Sequence, residues 1–158
     1  LIGVLQGGAY GGGIGLAAIC DVAIAEDTAK FGLFETRLGL IPATISPYVI
    51  ARMGEAKARR MFMSAKIFGA AEAKDLDLIT DYHPVETIET RIEAEVSPYL
   101  KVAPGAVAAS KRLARKLGKP IDDAIIEYTI SELADIWEGV EAAQGIDSFL
   151  TNTPPPWQ

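Results

Sequence analysis

Residues 7 to 16 read GGAYGGGIGL, from Gly7 to Leu16, and they follow the apolar segment Leu1 to Leu5. The apolar segment predicts a buried strand, and the glycines after it predict a tight turn into a helix. Backbone N–H groups at the start of a helix have no intrahelical acceptor and lie at the positive end of the helix dipole. Because glycines let an oxygen atom approach these groups closely, the stretch predicts a site for a phosphate or a developing oxyanion.

The spacing of the glycines disfavours two familiar kinds of anion site. A P-loop needs a Lys and a Ser or Thr after the glycines, where this chain has Ile14 to Leu16. Gly13 to Ala18 matches the dinucleotide fingerprint G-x-G-x-x-A, but the acidic residues Glu26 and Asp27 come earlier than the usual offset of about 20 residues. The third interpretation is an oxyanion hole, in which a glycine N–H stabilises charge on a carbonyl oxygen.

A membrane helix is an alternative interpretation of the uncharged segment from Leu1 to Cys20. Such a helix needs about 20 residues dominated by large apolar side chains, and the many glycines and Gln6 disfavour it. We therefore expect no membrane-embedded segment here.

Composition excludes several classes of function. The chain has 158 residues, 49% of them hydrophobic and 23% charged, which predicts one globular domain with a possible helical extension. Its net charge of -6 disfavours a nucleic-acid partner, and the basic run Lys111 to Lys116 is interpreted as a solvated helix face.

The chain contains few cysteine and histidine side chains. One cysteine, Cys20, predicts a reduced core residue and a cytoplasmic compartment, and with one histidine, His83, no zinc cluster or Cys/His dyad is expected. We expect neither a metal nor a separate cofactor. Catalysis would depend on carboxylates and backbone dipoles.

Hydrophobic periodicity predicts an α/β chain that begins β-α-β and ends in helices. Ser46 is predicted as the N-cap of a helix with Pro47 at its first position, and Met61 and Met63 are interpreted as core residues. The predicted strands are 1–5, 21–25 and 30–33, and the predicted helices are 14–19, 46–54, 55–66, 85–100, 104–117 and 121–138.

The last of these helices has a wide apolar face. Ile125, Tyr128, Leu133, Ile136 and Trp137 follow helical spacing. A face of this width indicates burial against a partner as well as the domain core, so we expect an oligomer.

Glu35 is the carboxylate most suited to chemistry. It follows the predicted strand that ends at Leu33 and precedes the apolar residues Leu38 to Ile41. A carboxyl group between apolar walls can hold and deliver a proton if it faces the glycine helix. The alternative is an ordinary loop glutamate paired with Arg37.

Several motifs follow one another along the chain: Gly8-x-x-Gly11-Gly12-Gly13-x-x-Leu16-x-x-x-Cys20-Asp21, Ala29-Lys30-Phe31-Gly32, Glu35, Leu38-Gly39-Leu40-Ile41-Pro42 and Gly54-x-Ala56-x-Ala58. Together they resemble the crotonase, or enoyl-CoA hydratase/isomerase, superfamily. The resemblance covers the whole chain but only the central and C-terminal part of a family member. We expect a piece of a longer polypeptide, nearly inactive by itself, because Leu1 already lies in a strand and the family's A-x-A-G-x-D loop is not present.

The resemblance implies a fold, partners and a substrate class. It implies part of a β-β-α spiral over residues 1–84 and a C-terminal helical trimerisation region over 85–158. Homo-trimers, often paired into hexamers, and acyl-CoA thioester substrates are implied as well, with coenzyme A as part of the substrate.

The same resemblance implies roles for individual residues. By position, Gly12 would donate a backbone N–H to the thioester oxygen and Glu35 would exchange a proton with the carbon beside the carbonyl. The substrate-binding positions that it implies are Gly11, Gly15, Phe34, Ile41 and Pro42.

Three departures from the family pattern keep alternatives open. Gly15 stands where two-carboxylate hydratases have a second glutamate, Ala43 stands where dienoyl isomerases have an aspartate, and Thr151 to Pro154 replaces a basic segment after Gly145-x-x-x-Phe149. An enoyl-CoA hydratase is expected first. A single-glutamate isomerase and a non-catalytic crotonase-like subunit are the alternatives.

The loop from Glu35 to Tyr48 resembles that of the bacterial methylglutaconyl-CoA and carboxygeranoyl-CoA hydratases, which also tend to have glycine at the position of Gly15. This resemblance implies a role in leucine or isoprenoid breakdown.

Overall fold

A computed structural model describes residues 1–157. These residues form six strands, eight α-helices and two short 3₁₀ helices. The strands are β1 (Ile2–Leu5), β2 (Gly8–Tyr10), β3 (Val22–Glu26), β4 (Lys30–Gly32), β5 (Ile67–Gly69) and β6 (Asp81–His83). The α-helices are α1 (Gly12–Ile19), α2 (Ser46–Met53), α3 (Glu55–Ser64), α4 (Ala70–Asp75), α5 (Val85–Val96), α6 (Pro104–Leu117), α7 (Asp123–Trp137) and α8 (Val140–Thr151), and the 3₁₀ helices span Glu35–Leu38 and Ser97–Lys101.

The strands form two small sheets. One has the order β1-β3-β6 with all strands parallel. The other has the order β2-β4-β5, in which β2 and β4 are parallel and β5 is antiparallel to β4. Because β2 and β4 point the same way, the segments that follow them leave the sheet at the same edge.

The main core lies between the sheets and helices α1 to α4. Small residues such as Ala17 and Ala18 allow α1 to pack closely, and Ile14, Phe31 and Met61 fill the interior. Cys20 is a free, buried thiol, so the prediction of a core cysteine is confirmed.

The last four α-helices bury little within the described chain. Helix α5 packs Ile88 against Val22 and Ile24 of β3, whereas α6 has no buried residue. Helix α8 buries Ala142, Gly145 and Ser148. The boundary at residue 84 between spiral core and helical region stays a prediction. Within residues 1–157 no helix is both long and apolar enough to cross a membrane.

Some local predictions were wrong. The first helix begins at Gly12 rather than at residue 14, since the glycines already have helical geometry. Ile45, not Ser46, is the N-cap of α2, because the Ser46 hydroxyl donates to the Ala43 carbonyl (2.8 Å) instead of capping the helix. Met63 points outward and is 70% exposed, whereas Met61 is in the core.

Candidate active site

The glycine turn and Glu35 meet where β2 and β4 end. Tyr10 of β2 pairs with Gly32 of β4 in parallel register. Gly11 and Gly12 follow β2, and Glu35 follows β4. Segments that follow adjacent parallel strands meet at one edge, where α/β proteins commonly bind their ligands.

Gly11 connects the two segments. Its N–H donates to the Gly32 carbonyl (3.0 Å), and its own carbonyl accepts from the N–H groups of Ile14 (3.0 Å) and Gly15 (3.4 Å). Its φ of +49° lies in the left-handed region, which favours glycine. Gly11 therefore ends β2, begins α1 and holds both beside β4.

Gly12 presents an open donor at the start of α1. Among residues 1–157, no acceptor receives a hydrogen bond from the N–H of Gly12 or of Gly13. A Cβ built on Gly12 would meet nothing within 4 Å. The Gly12 N–H thus has no acceptor within the described residues and lies at the positive end of the helix dipole, where a ligand oxygen would be favoured.

The Glu35 side chain lies against this turn. Its Oε1 is 3.3 Å from the position that a Cβ on Gly11 would occupy. Its Oε2 is buried and has no hydrogen-bond partner within the described residues. A buried polar atom without a partner costs stability, so this carboxyl group does not owe its position to a stabilising hydrogen bond of Oε2 within the described residues.

The backbone around Glu35 is firmly held. The Leu40 N–H donates to the Glu35 carbonyl (2.9 Å), and the Thr36 hydroxyl donates to the Phe62 carbonyl of α3 (3.1 Å). Within the described chain Arg37 makes no ion pair with Glu35, and its guanidinium carbon lies 5.2 Å from the centre of the Phe34 ring. The interpretation of Glu35 as the partner of Arg37 was wrong.

Two aromatic side chains lie next to the turn. The rings of Tyr10 and Phe34 are 5.2 Å apart between centres, and Phe34 lies across Gly32, where a Cβ would be 2.4 Å from the ring. Phe34, half-buried, thus covers the strand end from which Glu35 follows.

Gly15 is buried beneath the site, against α2. A Cβ on Gly15 would lie 2.5 Å from Cγ2 of Ile45, so Ile45 occupies the space that a larger side chain would need. This packing role for Ile45 was not predicted, because it depends on a contact between residues 30 positions apart. Ile41 is half-buried and Pro42 is buried in the segment before α2. The substrate-binding roles of Gly11, Gly15, Phe34, Ile41 and Pro42 stay predictions.

Strong electrostatic effects occur away from this site. The Lys74 ammonium donates to Asp81 (2.7 Å), which lowers the pKa of that carboxyl and raises the pKa of Lys74. The Lys111 ammonium donates a hydrogen bond to Asp21 and lowers the pKa of that carboxyl. Two surface cavities, of about 400 and 340 Å³, are lined by neither Gly12 nor Glu35.

Comparison with known proteins gives a consistent result. A sequence model of the family described as enoyl-CoA hydratase/isomerase matches residues 1–158. The chain is 33% identical over 155 residues to rat (Rattus norvegicus) enoyl-CoA delta isomerase 2, covering 98% of this chain and 40% of that protein. It is 35% identical over 119 residues to the enoyl-CoA hydratase ACTT6 of Alternaria alternata, covering 73% of this chain and 39% of that protein.

Solved structures show the same relationship. An enoyl-CoA hydratase from Mycobacterium avium superposes with a TM-score of 0.85 at 28% identity, covering 99% of this chain and 62% of that one. The chain thus spans less than two thirds of the length of these relatives. The predictions of the superfamily and of a crotonase-like α/β fold are confirmed, and the chain belongs to the enoyl-CoA hydratase/isomerase family.

Proposed function

We propose that the protein is an enoyl-CoA hydratase that adds water to an α,β-unsaturated acyl-CoA thioester. The observation that carries the proposal is the buried, unpartnered Oε2 of Glu35 beside the glycine turn that presents the free Gly12 N–H. A proton-transfer group and an oxyanion donor at one sheet edge are the two parts that enolate chemistry needs.

The proposed reaction uses both groups. The Gly12 N–H donates to the thioester oxygen and stabilises the negative charge that develops there. Glu35 takes a proton from water as the water oxygen bonds to the β-carbon, and the electron pair of the double bond moves to give the enolate. Glu35 then returns the proton to the α-carbon. Water is added across one face, and Glu35 ends in its starting state.

The proposed substrates are acyl-CoA thioesters, in which coenzyme A is part of the substrate. The proposal includes no metal and no separate cofactor. Gly11, Gly15, Phe34, Ile41 and Pro42 are proposed to lie along the bound thioester. The loop from Glu35 to Tyr48 supports methylglutaconyl-CoA or carboxygeranoyl-CoA as the acyl class, and hence leucine or isoprenoid breakdown.

The quaternary structure and location are also proposals. The exposed apolar residues Tyr128, Ile130 and Trp137 on α7 support a homo-trimer or hexamer. The net charge of -6 argues against a nucleic-acid partner, and the free thiol of Cys20 supports a cytoplasmic location.

A second candidate is an enoyl-CoA isomerase. Ile45 fills the space beside Gly15 where a second carboxylate would stand, so proton transfer falls to Glu35. An isomerase needs one such group, which removes a proton from the α-carbon of a 3-enoyl thioester and returns it to the γ-carbon. The rat relative carries the name of a delta isomerase.

Product analysis separates the candidates. The complete natural polypeptide is incubated with crotonyl-CoA, 3-methylglutaconyl-CoA and a trans-3-enoyl-CoA. The products are separated by liquid chromatography, which resolves the isomers, and their masses are measured by mass spectrometry. A product heavier by one water from a 2-enoyl thioester supports the hydratase. Conversion of the 3-enoyl thioester alone, with no change in mass, supports the isomerase. No conversion of any thioester would contradict both and favour a non-catalytic subunit.

A further inference from the structure

Helix α8 lies directly on the 3₁₀ helix that begins with Glu35. A Cβ built on Gly145 of α8 would lie 2.4 Å from the carbonyl carbon and oxygen of Leu38. Conversely, a Cβ on Gly39 would lie 2.4 Å from the carbonyl carbon and oxygen of Glu141. Two backbones therefore touch without intervening side chains, and each glycine is needed for the contact.

This contact is linked to Glu35 through the backbone. The Gly39 N–H donates to the carbonyls of Glu35 and Thr36, and the Leu40 N–H donates to the Glu35 carbonyl (2.9 Å). Gly39 has a φ of +67°, so the chain turns sharply at the contact. If α8 displaces Leu38 or Gly39, these hydrogen bonds must transmit the displacement to Glu35.

The atoms at the contact leave little room for adjustment. The atoms that a new side chain would meet belong to backbone, which cannot move aside as a flexible side chain can. Ala142 and Ser148, on the same face of α8, are also buried. A methyl group at Gly145 must therefore push the 3₁₀ helix and α8 apart.

We propose that Gly145 and Gly39 are positioning residues that set the place of the Glu35 carboxyl group relative to the Gly12 N–H. The inference rests on the proposed function. Displacement of a catalytic group by about 1 Å can lower a rate about 100-fold. The role of Gly145 is thus to let α8 approach the segment that carries the proton-transfer group.

The test is Gly145→Ala in the complete natural polypeptide, with Ala143→Gly as the matched control. Ala143 is exposed on the same helix, and glycine there weakens α8 without touching Leu38. We expect Gly145→Ala to lower kcat about 10- to 100-fold with KM changed less than about threefold. The control lowers the melting temperature but keeps the wild-type kcat.

Gly39→Asn tests the contact from the other side. Asparagine tolerates a left-handed φ, so its main effect is the collision with Glu141. We expect the same loss of kcat at nearly constant KM. A wild-type kcat in either folded variant would overturn the positioning role alone. Loss of cooperative unfolding in both variants would also overturn it, because the contact would then hold the fold. An inactive unsubstituted protein would overturn the proposed function and, with it, this inference.

Discussion

At the scale of single residues, the Gly12 N–H can be tested without disturbing the fold. Gly12 is the first residue of α1, a position where proline is well tolerated because its missing N–H has no intrahelical acceptor. We expect Gly12→Pro to lower kcat about 100- to 1,000-fold, as loss of one oxyanion donor does. The melting temperature should stay close to that of the unsubstituted protein.

Gly12→Ala is the matched control for this prediction. It retains the N–H, and its methyl group meets nothing within 4 Å in the unliganded site. Steady-state kinetics with a 2-enoyl-CoA distinguish the variants. An equal kcat for Gly12→Pro and Gly12→Ala would contradict the role of the N–H.

The sequence predicts these residues better than it predicts their contacts. Glycines before a helix and a glutamate after a strand follow from local chemistry, which is why the glycine turn and Glu35 could be named, whereas the role of Gly12 in particular was implied by the family resemblance. The alternative interpretation, which paired Glu35 with Arg37, was wrong, because the position of Arg37 over the Phe34 ring depends on how the strand ends. The orphaned Oε2 of Glu35 has no counterpart in the sequence pattern at all.

At the scale of secondary-structure elements, the packing of α1 on α2 depends on Gly15 and Ile45. Because Cγ2 of Ile45 would lie 2.5 Å from a Cβ on Gly15, we expect Gly15→Ala to lower the free energy of unfolding by about 1–3 kcal/mol. Ile45→Ala removes the colliding methyl group, so the double variant should recover part of this loss.

A double-mutant cycle from chemical denaturation measures this coupling. We expect an interaction energy of about 1 kcal/mol or more. Gly105→Ala in α6 is the control, since its Cβ would meet nothing within 4 Å. Strictly additive effects of Gly15→Ala and Ile45→Ala would show that the two residues do not compete for one space.

The ion pair between α4 and β6 gives a pH-dependent stability. The pKa of Asp81 is lowered by Lys74, so this carboxylate stabilises the folded state above its ordinary pKa of 3.8 and loses that effect as the pH falls below it. The pKa of Lys74 is raised above 10.5, so its contribution is present below that value and is lost as the pH rises further.

Asp81→Asn should therefore be slightly less stable than the unsubstituted protein between about pH 4 and pH 10, and the difference should shrink as the pH falls further below 3.8. Thermal melts across this range measure the difference. Glu89→Gln, at an exposed position of α5, should show no such pattern. A constant difference at every pH would contradict the assigned ion pair.

Several elements with local signals were predictable, whereas the strands β2 and β5 and the helix α8 were not. The prediction of a helix over 104–117 matches α6, since its periodicity and Pro104 are local signals. The three-residue strands β2 and β5 were missed because their pairing partners, not their own residues, make them strands. Met63 was predicted to lie in the core because of its residue type. It does not, because position 63 is not on the face of α3 that packs against the core.

At the scale of the whole molecule, the C-terminal helices expose much apolar surface. On α7, Ile130 is 54% and Trp137 56% exposed. Since single apolar residues are common on surfaces but contiguous apolar faces mark interfaces, we expect the protein to self-associate. Ile130→Glu should convert the oligomer to smaller species. It should not lower activity by unfolding the protein.

Sedimentation velocity checks this expectation. The unsubstituted protein should sediment as a trimer or hexamer, and Glu89→Lys, a charge change on α5, should leave that state unchanged. A monomeric unsubstituted protein at micromolar concentration would contradict a stable oligomer.

The proposed reaction depends on proton transfer by Glu35. The most direct test is turnover of a 2-enoyl-CoA by the complete natural polypeptide and by its Glu35→Gln variant, with thermal melts of both. Because Oε2 of Glu35 has no hydrogen-bond partner within residues 1–157 that an amide would lose, we expect equal or greater thermal stability. We predict a loss of kcat of about 100-fold to 10,000-fold. A variant that keeps the wild-type kcat would contradict the account.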